Sequence, residues 1–114
     1  MKAMLFVFML FSAQFLLAQS ADGKVVLDNE AVRVYEFESK PGKDVCGAGK
    51  HSHPPHLTVM LTDAIITVTT SEGKVITKKL KLGDTFWSPS ETHIVVNGGT
   101  GDTKLRLVEV KKKG

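Results

Sequence analysis

Two regimes of hydrophobic patterning divide the chain near residue 20. From Ala3 to Ala18 almost every side chain is apolar, with polar breaks only at Ser12 and Gln14. Beyond that block the apolar runs are short, alternate with a period of two, and are rich in Val, Ile and Thr. Side chains two apart on an extended backbone share a face, so this alternation predicts half-buried strands rather than helices. The pattern places them at 24–27, 32–39, 57–62, 64–70, 75–82, 85–88, 93–97 and 105–111. Turn chemistry falls between them at Asp28-Asn29, Pro41-Gly42, Ser71-Glu72-Gly73, Leu82-Gly83-Asp84 and Asn97-Gly98-Gly99. Several short strands at this spacing predict an all-β sandwich or barrel whose facing sheets enclose a site.

The N-terminal block has a different meaning. Met1 and Lys2 give a short positive start, the apolar run follows, and the small residues Ala18, Ser20 and Ala21 offer a cleavage point. That layout predicts a signal peptide helix over residues 1–20, and the polar Ser12 and Gln14 argue against a permanent span. An uncleaved amphiphilic anchor is the alternative. Export places the remaining domain, residues 21–114, in the periplasm or outside the cell, with no membrane contact after cleavage. That length supports one core and not two.

Charge excludes little. Fifteen Lys and Arg stand against twelve Asp and Glu, and the only concentrated run is Lys111 to Lys113 at the C-terminus, too short for a nucleic-acid surface. The single Cys46 cannot close an intramolecular disulfide, so the domain is stable without staples. Its place five residues before His51 makes it either a buried or intermolecularly paired thiol, or a soft neighbour of whatever His51 binds. Exposed sheet edges on so small a domain predict a homodimer.

Histidine carries the chemistry. All four are spent in two places, His51, His53 and His56 in the run HSHPPH and His93 in the run PSETHIVVNG. Neutral imidazole is the commonest protein metal ligand, and three histidines within six residues are hard to explain singly. His51 and His53 point the same way along an extended chain. Pro54 and Pro55 forbid regular ladder bonding and fix a bend that can return His56 to the same cavity. His93 shares a face with Val95 and Asn97. A barrel that sets these segments side by side brings three or four nitrogens to one point. Four uncharged imidazoles suit Fe, Mn, Ni, Cu or Zn over Ca or Mg. An octahedral ion would keep two positions for substrate and dioxygen; a tetrahedral zinc would keep none.

Elsewhere the residues read as structural. Glu91 is expected as an exposed turn carboxylate, with second-sphere support of the histidines as the alternative. Phe86 and Trp87 are expected to pack, and Asn97 to brace its turn. Ser88, Ser90 and Thr92 lack a nucleophile elbow, and the Gly98 to Gly101 loop lacks the strand-to-helix setting of a phosphate cradle.

On these residues the chain resembles a small single-domain cupin of the RmlC-like superfamily, over residues 41–98. The first motif is matched by Gly42, His51, Ser52, His53 and Pro54, then a third ligand ahead of a strand that ends at a turn. The second is matched by Gly83-Asp84, Trp87, Pro89, His93 and Asn97. It departs from the pattern in the inserted stretch from Cys46 to Gly49, in Asp63 at the strand turn, and in Glu91-Thr92 before His93. The resemblance implies a double-stranded β-helix, a jelly-roll barrel of two antiparallel sheets. It implies a metal held by His51, His53 and His93, with His56 in the ligand position commonly held by glutamate or sometimes histidine, a four-histidine variant. More narrowly, HSHPPH with the later W-x-P-x-x-T-H stretch is similar to small cupins grouped with a proposed β-alanine degradation protein. Two functions follow: a metal-dependent oxygenase or isomerase acting on a small organic substrate, or a non-catalytic cupin that binds a metal or small ligand.

Overall fold

A computed structural model describes residues 23–111. The expected signal peptide and most of the terminal lysine run lie outside these residues. Among the described residues the regular elements are nine strands, in chain order β1 (Lys24–Asp28), β2 (Val32–Ser39), β3 (His51–His53), β4 (His56–Met60), β5 (Ala64–Thr70), β6 (Val75–Leu80), β7 (Thr85–Ser88), β8 (Glu91–Asn97) and β9 (Thr103–Val110). They form a five-stranded sheet in the order β1-β2-β9-β4-β7 and a four-stranded sheet in the order β3-β8-β5-β6. Every pairing is antiparallel.

Period-two alternation is visible directly in burial. On β4 the buried positions are His56, Thr58 and Met60; on β8 they are His93, Val95 and Asn97; on β9 they are Thr103, Leu105 and Leu107. Phe37, Met60, Ile66, Val95, Leu105 and Leu107 meet between the sheets, joined by Val45 and Cys46 from the loop after β2. Polar residues mark the two ends of this core. At one end Asn97, 1 % exposed, donates from Nδ2 to the carbonyls of Ser39 (3.1 Å) and Gly101 (2.9 Å) and accepts from Gly99 N–H (3.0 Å). It braces the Asn-Gly turn as expected. At the other end stand the histidines.

Some boundaries shift from the sequence pattern for local reasons. β6 stops at Leu80 because the chain turns at Gly83, in the left-handed region at φ 91°, with Asp63 Oδ1 accepting from Leu82 N–H at 2.8 Å. Trp87 does not pack inward: it alternates with Phe86 and Ser88 on β7, faces away from the core and is 56 % exposed. It ends an in-register row on the other face of the larger sheet, where Leu27 pairs with Val34, Val34 with Val108, Val108 with Leu57 and Leu57 with Trp87.

Candidate metal centre

The histidines arrive from both sheets. β3 pairs with β8 so that His51 lies opposite His93 and His53 opposite Glu91, which sets these four side chains on one face of the smaller sheet. The imidazole centroids are 4.7 Å apart for His51 and His53, 4.7 Å for His51 and His93, and 5.6 Å for His53 and His93. His56 opens β4 in the larger sheet and faces them, its ring 5.1 Å from that of His53.

A fourth donor comes from the loop. Backbone bonds from Val45 N–H to Val95 C=O (2.9 Å) and from Asn97 N–H to Lys43 C=O (2.9 Å) lay residues 43–45 along β8. This brings the Cys46 sulfur to 3.5 Å from His51 Nε2 and 3.9 Å from His93 Nε2. The chain then needs Gly47, at φ 146°, because a Cβ there would lie 2.8 Å from the His51 ring. One donor atom from each of Cys46, His51, His53 and His93 falls within 4.8 Å of the others. His56 stands beside this group, its Nε2 3.5 Å from a Glu91 carboxylate oxygen that is also 3.6 Å from His93 Nδ1.

Hydrogen bonds fix which ring nitrogens are free. His51 Nδ1 lies 2.9 Å from Gly49 C=O and His56 Nδ1 lies 2.7 Å from Pro54 C=O. A carbonyl only accepts, so both Nδ1 atoms carry a proton, which leaves His51 Nε2 free to present a lone pair, while His56 Nε2 faces the Glu91 carboxylate. His53 Nδ1 donates to the Glu109 carboxylate at 3.3 Å, leaving Nε2 as the donor to a ligand. That Nε2 is buried and has no hydrogen-bond partner among the described residues. Leaving such an atom unpaired costs about 1–3 kcal/mol, and a cation in the cluster would supply its partner.

Electrostatics agrees with a site built for a cation. Burial, reinforced by the neighbouring His51, His53, His56 and Lys78 charges, lowers the His93 pKa to about 4. Burial also lowers that of His53, against the raising effect of its bond to Glu109. Both rings are therefore neutral, the ligating form, at physiological pH. The Cys46 thiol is pushed up to about 12 by burial and by the Glu91 and Asp44 charges. Without a cation it is a protonated thiol; a divalent ion inverts that balance and takes the sulfur as thiolate. The donor set fits a transition metal, because it combines imidazole with thiolate and offers no hard oxygen cage. The carboxylate–histidine arrangement of Glu109 and His53 is the kind that orients a ligand and raises its basicity.

Space adjoins the cluster on two sides. An interior cavity of about 80 Å³ runs between the sheets, with Cys46, His56, Ser88, Glu91 and His93 at one end and apolar walls beyond. A wider cleft of about 520 Å³ opens at the barrel mouth, bordered by Ser52, His53, Thr70, Ser90, Glu91 and His93. Glu91 and His93 border both.

Three further participants join the histidines, of which Glu91 and Cys46 are alternatives in the sequence and Glu109 is not anticipated there. Glu91 lies within β8, 35 % exposed at the side chain, and not in an exposed turn. Cys46 enters through loop pairing that no local pattern encodes. Glu109 does have a signal: it continues the inward series Thr103, Leu105, Leu107 on β9, and a carboxylate in such a series asks for a partner.

No protein-family model matches the chain, and no curated protein matches it by sequence. Solved structures do. A cupin domain from Bordetella pertussis Tohama I is 28 % identical, with a TM-score of 0.71 over 79 % of this chain and 92 % of that one. An RmlC-like cupin family protein with a double-stranded β-helix fold from Methanocaldococcus jannaschii is 13 % identical, with a TM-score of 0.62 over 77 % of each chain. A polyketide cyclase from Streptomyces resistomycificus is 19 % identical, with a TM-score of 0.59 over 78 % of this chain and 63 % of that one. The two antiparallel sheets, closing around a Cys/His cluster able to hold a metal ion, thus have the cupin fold.

Proposed function

We propose that the protein is an exported small cupin that holds one divalent transition metal and uses it on a small organic substrate, as an oxygenase or isomerase does. The observation that carries this reading is the orphaned His53 Nε2, buried in a cluster where Cys46, His51 and His93 converge and the Glu109 carboxylate fixes the opposite ring nitrogen. Cys46, His51, His53 and His93 would hold the ion; His56, expected from sequence as a fourth nitrogen, pairs instead with Glu91 beside it. A metal bound there supplies Lewis-acid or one-electron chemistry. The chain supplies positioning: His93 borders both the interior cavity and the mouth, so a ligand in either space reaches the cluster. The His56–Glu91 pair can accept or return a proton at that same wall.

Export rests on the N-terminal pattern of residues 1–20. The narrower likeness to the β-alanine degradation group, carried by HSHPPH, adds no substrate to this reading. One observation favours a second, non-catalytic reading: four protein donors complete a tetrahedral shell, so zinc bound by all of them would be closed to substrate.

Elemental analysis of the purified protein beside His51→Ala, His93→Ala and Cys46→Ser variants tests the site. One equivalent of metal in the parent and loss in both histidine variants is expected; full occupancy in both overturns the assignment. Water-proton relaxation on a paramagnetic metal then separates the two functions, since only an open site exchanges water.

A further inference from the structure

The histidine cluster meets two spaces of opposite character. Towards the mouth, the cleft of about 520 Å³ is bordered by hydroxyls and carboxylates, among them Ser52, Thr70, Ser71, Glu72, Ser90 and Glu91. Inward, nine of the sixteen residues around the cavity of about 80 Å³ are apolar, and Met60, Ile66, Val95, Leu105 and Leu107 among them are all buried. Cys46, His56, Glu91 and His93 form its wall on the cluster side; Thr58, Ser88 and the exposed Lys78 are its remaining polar residues. The donors divide accordingly: Cys46 and His93 line the inner space, His53 and His93 the mouth.

Size narrows the occupant. A cavity of roughly 150 Å³ accommodates benzene, so about 80 Å³ holds about three non-hydrogen atoms, which excludes most organic substrates and leaves water or a small gas. A water there needs about two to four polar partners, and the side chains of Met60, Leu105 and Leu107 supply only carbon and sulfur. We propose that the inner cavity binds dioxygen, an apolar diatomic gas, by dispersion contact with Met60, Leu105 and Leu107, beside Cys46 and His93, while the organic substrate uses the mouth. Binding is non-covalent, and no bond forms or breaks in the cavity. The inference rests on the metal-site reading for its catalytic meaning but not for binding, and it favours the oxygenase over the isomerase, which consumes no gas. The rival occupant is ordered water, drawn in by Thr58, His56 and Glu91.

The test pressurises the full chain with oxygen, zinc-loaded and chelator-treated side by side, and reads methyl relaxation by NMR. Zinc carries no unpaired electron, so dioxygen is the paramagnet in both samples. The effect falls with the sixth power of distance, so a gas molecule in contact, about 4 Å away, relaxes a methyl about sixtyfold more than one twice as far. The methyls of Met60, Leu105 and Leu107 should show an enhancement at least about fivefold greater than those of Val34 and Thr103, which are also buried but line neither space. Xenon should shift the same three residues. Thr58→Leu fills the cavity with methyl groups; it should abolish the difference and still take up one equivalent of metal. Enhancement spread evenly over all the buried methyls, water cross-peaks at the Met60 methyl, or a folded Thr58→Leu variant with the full enhancement each overturns the proposal. The parent measurement decides alone if overpacking unfolds that variant. Failure of the metal reading registers separately, as absence of metal uptake by a chain whose cavity still takes the gas.

Discussion

Replacing Glu109 tests how the site would hold the proposed ion, without touching a donor. Its carboxylate lies 3.3 Å from His53 Nδ1, with only 16 % of the side chain exposed, so the bond is shielded from competition by water. Glutamine keeps the shape and a carbonyl to accept the Nδ1 proton, and removes only the charge. Hydrogen bonds to charged groups contribute about 1.5–3 kcal/mol and neutral ones about 0.5–1.5 kcal/mol. The midpoints differ by about 1.25 kcal/mol, a roughly eightfold loss of metal affinity. Glu109→Ala also leaves the buried Nδ1–H unpaired and loosens the ring, which moves the loss towards the upper end of the ten- to hundredfold range for such supporting carboxylates. The assay is competition against a chromophoric chelator with zinc, repeated with cobalt, whose visible spectrum reports the donor set. Glu38→Gln, an exposed carboxylate on β2, is the control and should bind as the parent does. Parent-like affinity in both Glu109 variants, with His53→Ala inactive in binding, would refute the assigned role of the carboxylate.

Other outcomes follow from the same geometry. The metal-free protein should lose stability as pH falls from about 6.5 towards 4, because His93 titrates near 4 in the folded chain and near 6.5 when unfolded. The unfolded state binds the extra proton in that window, so the slope is at most about 1.4 kcal/mol per pH unit for this group; denaturant melts with a flat profile there would contradict it. Asn97→Ala should cost about 3 kcal/mol, from three lost hydrogen bonds at the end of the core away from the histidines, without changing metal stoichiometry; urea melts and elemental analysis read the two effects separately. The homodimer expected from the sheet edges has exposed apolar side chains to use in Leu27 and Trp87, at the two ends of the outer row that also holds Leu57. Light scattering should give twice the chain mass at micromolar concentration and a monomer for Leu57→Lys; a parent monomer overturns it.

Much of this fold was legible because burial follows sequence parity. The expected strands at 32–39, 64–70 and 85–88 coincide with β2, β5 and β7, and the grouping of His93 with Val95 and Asn97 holds in their shared burial. The two prolines after His53 did mark a change of direction: the chain leaves the smaller sheet at β3 and enters the larger one at His56. What local pattern cannot carry is register between distant strands. Cys46 approaches His51 only because residues 43–45 run beside β8, and Glu109 meets His53 only because β9 lies next to β4. Trp87 departs from its expected packing for a simpler reason, since size suggests burial while alternation with Phe86 dictates the outer face.

β3 contains three residues, sits at the edge of its sheet and pairs with β8 alone, yet it carries His51 and His53. Segments with so few partners open at far lower free energy than the core. Docking of this strand and capture of an ion would therefore be one equilibrium approached from two directions, with the measured affinity equal to the intrinsic one reduced by the fraction of time β3 is docked. An ion bound there would act as the clasp of an otherwise loose margin. Its removal should appear first as faster amide exchange at Ser52, while Met60 and Leu107 stay protected.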